Sequence, residues 1–223
     1  VSAVFYGEPS KRLSLVGVTG TNGKTTTTYL IESILRAAGL NPGVIGTINY
    51  RYNGKTFDAP HTTPQAPDLQ RLLKEMADAG VTHAVMEASS HALQQKRAGD
   101  CAFKAGIFTN LTLDHLDYHK TMDEYFSAKA ILFELVKNNS GRTIVNIDDA
   151  WGAKLKEMYP ASITVSLKDG ADIYPAKYSL KDGMTEATVR TPSGDVTISS
   201  HLVGEYNLQN IVTATAAAYA LGI

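Results

Sequence analysis

The sequence predicts an α/β fold: a doubly wound, mainly parallel sheet with a small antiparallel β meander near the C-terminal end. Three observations carry this expectation. Short apolar runs of strand character alternate with amphipathic helical patterns from residue 13 to about residue 166. The first run ends in a Gly/Thr-rich loop that closes on Gly23-Lys24-Thr25 and leads straight into a helical pattern. Beyond about residue 170 the pattern changes to three strand-like runs separated by turn residues.

Leu13–Val18 is apolar and ends in the Gly/Thr loop, as a buried strand does. Thr26–Leu40 places Tyr29, Leu30, Ile34, Leu35 and Ala38 at helical spacing, with Gly39 as the stop. Val44–Ile48 and Tyr50–Phe57 read as strands, the second turning at Asn53-Gly54, a pair that favours a tight hairpin. Pro67–Ala79 carries Leu69, Leu72, Leu73 and Met76 on one helical face, and Gly80 closes it. Thr82–Met86 and Ala105–Thr109 are further buried strands. Thr121-Met-Asp-Glu124 is a capping box opening a helix to about Lys137. Thr143–Ile147 is a strand, Asp148–Met158 a helix and Ile163–Ser166 a strand. Ile173–Ser179, Glu186–Thr191 and Val196–Leu202 form the meander, turning at Lys181-Asp-Gly183 and Pro192-Ser-Gly194 and placed on the edge of the α/β core. An alanine-rich helix runs to the end.

Composition excludes several classes. The 223 residues suffice for one large domain or two small ones with a core that needs no covalent staples. With 18 Gly and 8 Pro the chain is neither collagenous nor of low complexity. A single cysteine makes no internal disulfide and fits a reducing compartment, so a soluble cytoplasmic protein is expected. A net charge of −1 gives no reason to expect nucleic acid or an anionic membrane surface. Neither a signal peptide nor an apolar run near the length of a membrane span is found. The chain opens at Val1 and stops at Ile223 inside the last helical pattern, which is expected of a piece of a longer enzyme.

Gly17-Val-Thr-Gly-Thr-Asn-Gly-Lys-Thr25 carries the chemistry. A strand–loop–helix junction turns backbone N–H groups and a helix N-terminus toward phosphates, and Lys24 neutralises their charge. Thr25 sets a hydroxyl where Mg²⁺ bridges two phosphates. The strict G-x-x-x-x-G-K-[ST] spacing would require glycine at position 18, where Val18 stands, so the loop is a variant. Glu87 ends one strand and His115 follows another, both where a parallel sheet presents ligand-binding groups. A carboxylate and an imidazole can serve Mg²⁺ beside ATP, with His115 the weaker ligand because hard Mg²⁺ prefers oxygen. Lys129 lies on the capped helix. Cys101 reads as a small core residue, Trp151 as packing, and His83, His119 and His201 as structural or capping groups.

Thr19-Gly-Thr-Asn-Gly-Lys-Thr25 resembles the ATP loop of the Mur ligases, with folylpolyglutamate and cyanophycin synthetases as relatives. Further motifs occur in the order of that family: Phe5-Tyr-Gly-Glu-Pro-Ser10, His61-Thr-Thr-Pro64, Glu87-Ala-Ser-Ser-His-Ala-Leu93, Asp114-His-Leu-Asp-Tyr-His119, Lys129, Asn146-Ile-Asp-Asp149 and His201-Leu-Val-Gly-Glu-Tyr-Asn207. Together they are most similar to the UDP-N-acetylmuramoyl-tripeptide synthetase branch. The likeness covers nearly the whole chain but only that family's central ATPase domain. It assigns residues 1–12 to the end of a preceding linker and 13–223 to a truncated central domain.

The resemblance implies an ATP-dependent ligase that phosphorylates the terminal carboxylate of UDP-MurNAc-L-Ala-D-Glu and lets the amine of diaminopimelate or lysine attack the acyl phosphate. It implies ATP contacts from Gly20, Thr21, Asn22, Gly23, Lys24, Thr25 and Thr26, with Asn207 and Asn210 near adenine. His61, Thr62, Thr63, Ser89, Gln95 and Arg97 fall at its substrate positions, although some members have asparagine where His61 stands. It implies two Mg²⁺ sites, Thr25 and Glu87 at one, Glu87, His115 and a carbamylated Lys129 at the other. Lys24, Glu87, His115 and Lys129 would be the catalytic set of a monomer. A folylpolyglutamate- or cyanophycin-synthetase-like ligase, or a nucleotide-binding module without ligase activity, remains open on the residues alone. The fragment by itself is expected to bind ATP at best and form no appreciable product.

Overall fold

The computed structural model describes residues 1–223, the Leu116 side chain excepted. The chain begins with α1 (Ser2–Phe5) and a 3-10 turn (Pro9–Arg12), then β1 (Ser14–Thr19), α2 (Lys24–Ala37) and β2 (Pro42–Ile45). A hairpin follows, β3 (Asn49–Tyr52) and β4 (Lys55–Asp58), and then α3 (Ala66–Asp78), β5 (His83–Glu87) and the short α4 (Ser90–Gln94). Next come β6 (Phe103–Phe108), the short α5 (Leu116–His119), α6 (Met122–Asn138), β7 (Arg142–Asn146), α7 (Ala150–Met158) and β8 (Ile163–Val165). The chain ends with β9 (Tyr174–Lys181), β10 (Met184–Thr191), β11 (Gly194–Ser200) and α8 (Glu205–Leu221).

Eight strands form one sheet in the order β4-β3-β2-β5-β1-β6-β7-β8. From β2 to β8 every neighbouring pair is parallel, and at the other edge β3 runs antiparallel to both β2 and β4. Successive β1 side chains point to opposite faces. Leu15 joins a core with Leu69, Leu73 and Met76 of α3, Leu93 of α4, Leu132 and Phe133 of α6 and Leu155 of α7. Val16 and Val18 join the other core, with Ile31 and Leu35 of α2 and Leu208 and Val212 of α8. Both faces are thus covered, which is why the middles of β1, β5 and β6 (Leu15–Val18, Ala84–Met86 and Ala105–Phe108) are continuous small or apolar runs rather than alternating. β1 lies between β5 and β6, and the chain reaches β2 on one side and β6 on the other. The strand order reverses there, so the crevice at the C-terminal ends of β1, β5 and β6 is where a doubly wound sheet binds ligands.

Local chemistry explains most boundaries. Asn53 and Gly54 both have positive φ, 50° and 73°, as the tight hairpin turn requires. The Thr121 hydroxyl accepts from the Glu124 N–H at 3.1 Å. The Thr121 N–H goes to the His119 carbonyl at 2.6 Å, so only one half of the expected capping box forms. Asp149 is the N-cap of α7, accepting from Trp151 and Gly152. Within residues 1–12, Ala3 and Ser10 are buried, and the Ser10 hydroxyl accepts from Ala102 N. Among the described residues no helix is long and apolar enough to cross a membrane.

One boundary needs correction. β2 stops at Ile45 rather than Ile48, because the Thr47 N–H turns out of the ladder to the Glu87 carboxylate and Ile48 is exposed. The expected antiparallel meander is present as a sheet of its own, β11-β10-β9, joined to the main sheet by the Val165–Ile173 bridge. Its central strand alternates, burying Thr185, Ala187, Val189 and Thr191. Ala187 and Val189 pack into the core shared with α8, so this sheet forms a layer over that helix instead of extending the parallel ladder.

Gly17 and Gly106 sit side by side on β1 and β6, and a methyl group on either would press on Leu132 or its neighbours Phe103 and Val136. That fully buried leucine fills the space the two glycines leave. Leu132→Ala is expected to lower stability by about 2–5 kcal/mol, read from the urea midpoint, since a sheet this closely packed cannot collapse on the cavity. Thr121→Ala, which removes only a cap, is expected to cost about 1 kcal/mol by the same measurement.

Candidate active site

The loop between β1 and α2 lies in the crevice. Gly20 has φ of 143° and Gly23 of 84°. A side chain at Gly20 would overlap the Thr109 hydroxyl, and one at Gly23 would overlap the Asn210 amide, so both positions require glycine. The segment after β6 braces the loop. Thr21 N donates to Asn110 O at 2.9 Å, Asn22 N to Asn110 Oδ1 at 2.9 Å, and Thr109 Oγ1 to Asn22 O at 2.6 Å. Thr21 and Asn22 also engage Thr112. The start of α2 has no side-chain cap. Its first N–H groups, which a helix cannot satisfy internally, therefore face the crevice beside Lys24 and Thr25.

Glu87 ends β5 and is only 1% exposed. Thr25 Oγ1 donates to it, lying 3.0 Å from each carboxylate oxygen. Thr47 donates to it twice, from N to Oε1 and from Oγ1 to Oε2, both at 3.0 Å. Among the described residues Glu87 has no ion-pair partner within 4.0 Å.

Two lysines converge on the other side of the loop. Lys24 Nζ donates to Gly20 O and Thr21 O at 2.9 Å. Lys129 Nζ, on buried α6, donates to the same Gly20 O at 2.9 Å and lies 4.3 Å above the Tyr125 ring. Burial lowers the proton affinity of Lys24, opposed by the charges of Glu87 and Asp114. Burial pushes Lys129 well below the ordinary lysine range, and the neighbouring Lys24 charge pushes it further. His115 has φ of 53°, is exposed, and stands edge-on to His91 at 5.1 Å and to Tyr125 at 5.9 Å. His119 is buried with Nε2 2.8 Å from Ser90 Oγ, and burial lowers its proton affinity, in keeping with a structural role.

One cavity of about 310 Å³ is lined by Thr21, Asn22, Gly23, Lys24, Thr25, Thr26, Thr47, Thr62, Glu87, Ser89 and His115. It brings together the loop, the expected carboxylate and imidazole, and two of the expected substrate residues. Lys129 does not line it. Among the described residues, no group of three or more His, Cys, Asp or Glu side chains is arranged to hold a metal. A larger cavity of about 830 Å³ shares Asn22 and Gly23 with the first and extends past Asn146, Asp148 and Asp149 to Tyr206 and Asn210. Asn210 accepts from Thr27 Oγ1 at 3.4 Å beside Gly23. Asn207 instead donates its amide to Val203 O and lies outside the cavity wall.

The remaining expected residues form a second cluster. Thr63 is buried, donating to Glu87 O at 2.7 Å and accepting from Ser89 N at 3.1 Å, so its hydroxyl holds the two segments together. Ser89 caps α4 through Ala92 N and also lines the smaller cavity. Arg97 donates to Gln95 Oε1 and, at 3.1 Å, to Thr63 O, while Gln95 donates to Tyr118. His61 is exposed. Thr47, Thr109, Asn110 and Tyr125 were not legible as site residues. Each acts on a group 40 to 104 positions away, and the only local signal was Gly46-Thr47 at a strand end. Cys101 is a core residue whose thiol burial pushes up to about 12, and Trp151 packs against Phe126.

A parallel α/β sheet carrying a glycine-rich loop, an uncapped helix start and a buried carboxylate at the strand ends defines a nucleotide-triphosphate-binding domain. The family model described as the Mur ligase middle domain matches residues 18–218, and the chain belongs to that family. It is 47% identical over 223 residues to the UDP-N-acetylmuramoyl-L-alanyl-D-glutamate--2,6-diaminopimelate ligase of Gloeobacter violaceus, covering 100% of this chain and 45% of that one. The enzyme of the same name from Geobacter metallireducens is 43% identical over 228 residues, with the same coverage. A solved structure titled as such a ligase superposes with a TM-score of 0.86 at 33% identity, covering 95% of this chain and 44% of the other. The chain thus spans about half the length of the relatives it matches.

The lowered affinities of Lys24 and Lys129 have a consequence for stability. A lysine that binds its proton more weakly when folded takes one up on unfolding, across the window between its folded value and the ordinary 10.5. Stability therefore rises with pH across that window, and the full penalty applies below it. In CO₂-free buffer, Lys129→Met is expected to flatten this slope and raise the neutral-pH melting temperature. A variant with the wild-type slope and melting temperature would contradict the assigned burial.

Proposed function

We propose that this chain is the ATP-handling middle portion of a ligase that joins a diamino acid to UDP-MurNAc-L-Ala-D-Glu. The observation that carries the reading is the shared wall at Asn22 and Gly23, where two cavities meet over an uncapped helix start. A nucleotide laid across that wall has its base end in the larger cavity and its γ-phosphate facing Lys24, Thr25 and Glu87. The names of relatives 43–47% identical to this chain favour this ligase over a folylpolyglutamate synthetase, and 2,6-diaminopimelate over lysine.

In this reading the backbone N–H groups at the start of α2 take the phosphate oxygens, and Lys24 exchanges its contacts with Gly20 and Thr21 for the β- and γ-phosphates. Thr62, Ser89, Gln95 and Arg97 position the acceptor so that its carboxylate oxygen attacks the γ-phosphorus in line and ADP leaves. The amine then attacks the carbonyl carbon of the acyl phosphate, and inorganic phosphate departs as the amide forms.

The donor set fits a hard cation. Glu87 is a buried carboxylate whose charge is met only by hydroxyl and N–H donors, and the Thr25 hydroxyl lies beside it. Mg²⁺ bound there would neutralise charge on the transferring phosphoryl group. A second Mg²⁺ would be held by Glu87, by His115 as a weaker ligand, and by Lys129 once carbamylated. Carbamylation needs a neutral amine: the Lys129 nitrogen attacks CO₂, a carbamate C–N bond forms and one proton is released. A buried lysine beside a second lysine is easily deprotonated, which supports this role. The assignment agrees with a cytoplasmic enzyme, since its nucleotide substrates are found there.

In the full-length enzyme, labelled diaminopimelate should enter the UDP-linked dipeptide with one ADP formed per amide. Lys24→Ala is expected to lower kcat by about 10²–10³-fold or more. Intact ATP binding with no amide product would overturn the ligase reading. Incubation with ¹³C-bicarbonate should give a carbamate NMR signal that Lys129→Ala removes; an unlabelled wild-type lysine would overturn the modification.

A further inference from the structure

We infer that Thr47 is the positioning residue for Glu87, holding the carboxylate in register when Thr25 turns to a cation. The inference rests on the reading of Glu87 and Thr25 as metal ligands.

A threonine hydroxyl has one hydrogen. Thr25 shares that hydrogen between the two Glu87 oxygens, 3.0 Å from each. To offer a lone pair to a cation, the hydroxyl must rotate its hydrogen away, and Glu87 loses that donor. Thr47 remains. Its N–H on Oε1 and its hydroxyl on Oε2 give one donor to each oxygen, both at 3.0 Å. Two donors from one residue fix the terminal carboxylate torsion, which is otherwise broad and twofold. The backbone comes close enough only because residue 46 is glycine, where a Cβ would overlap Oε1.

The donor direction reaches one residue further. Because Thr47 gives its hydrogen to Glu87, the Thr47–Thr62 contact of 3.1 Å is one in which Thr62 donates. A one-way chain of hydroxyls therefore links the His61–Pro64 loop, proposed to meet the acceptor substrate, to the metal-facing carboxylate. Thr47 lines the smaller cavity, and in this arrangement it acts on the cation through Glu87.

Thr47→Val keeps the bulk and the backbone N–H but removes the hydroxyl. In the full-length enzyme with a non-hydrolysable ATP analogue, Mn²⁺ titration followed by electron paramagnetic resonance should show about 10–100-fold weaker cation binding. Nucleotide affinity in the presence of chelator should be unchanged, and kcat should fall more than KM for ATP rises. Thr47→Ser should restore cation affinity. The exposed position tolerates these changes, and thermal melts of both variants verify that they fold. Wild-type cation affinity in Thr47→Val, or no recovery in Thr47→Ser, would overturn the inference. Glu87→Gln separates it from the parent reading. If Glu87→Gln does not weaken Mn²⁺, the metal site falls and Thr47 with it; if Glu87→Gln weakens Mn²⁺ and Thr47→Val does not, only the Thr47 role falls.

Discussion

The site depends on the seam where the loop after β1 meets the segment after β6. A glycine-rich loop is costly to order, at about 1–2 kcal/mol of backbone entropy per residue. Here Thr109 and Asn110 meet that cost with hydrogen bonds to Thr21 and Asn22, and Gly20 lies against Thr109 with no room for a side chain. The bracing leaves the start of α2 free of any side-chain cap. An ordered loop and an unsatisfied helix start are both needed to receive an anion, and one set of contacts supplies both.

Charge at the site is arranged around that seam. Lys24 and Lys129 donate to a single carbonyl, that of Gly20, so two ammonium groups cannot both be comfortable there. Lys24 has Glu87 and Asp114 to support its charge. Lys129 is the more buried, and burial and the Lys24 charge lower its proton affinity further than Asp114 can restore. On the far side, Glu87 is a buried anion surrounded by neutral donors, which suits an incoming cation better than an ion pair would.

Much of the fold could be read along the chain. The strand and helix pattern from β1 to β8 follows from apolar spacing, and Asn53-Gly54, Thr121 and Asp149 act through local backbone chemistry at their own positions. The phosphate loop was legible for the same reason, since its glycines and lysine sit within one turn of sequence. The meander was legible as an antiparallel unit beside the α/β core, but what attaches it was not. Its attachment is decided by Ala187 and Val189 packing over α8, a contact that local pattern does not encode. Short α4 and α5 were missed because tertiary packing, rather than periodicity, holds so few residues helical.

The sequence by itself determined the class of ligand, because phosphate recognition uses consecutive backbone groups and one adjacent lysine. It also marked Glu87, by placing a carboxylate at a buried strand end. Only the tertiary structure decided what surrounds that carboxylate. Thr47 reaches it because β2 and β5 are parallel neighbours, and Thr25 reaches it because β1 lies on the other side of β5. It likewise decided that Thr63 is a buried strut rather than an open contact, and that Asn210 rather than Asn207 lines the larger cavity. Hydrogen bonds across parallel strands join residues tens of positions apart, and their partners are set by sheet order, which no short stretch of sequence contains.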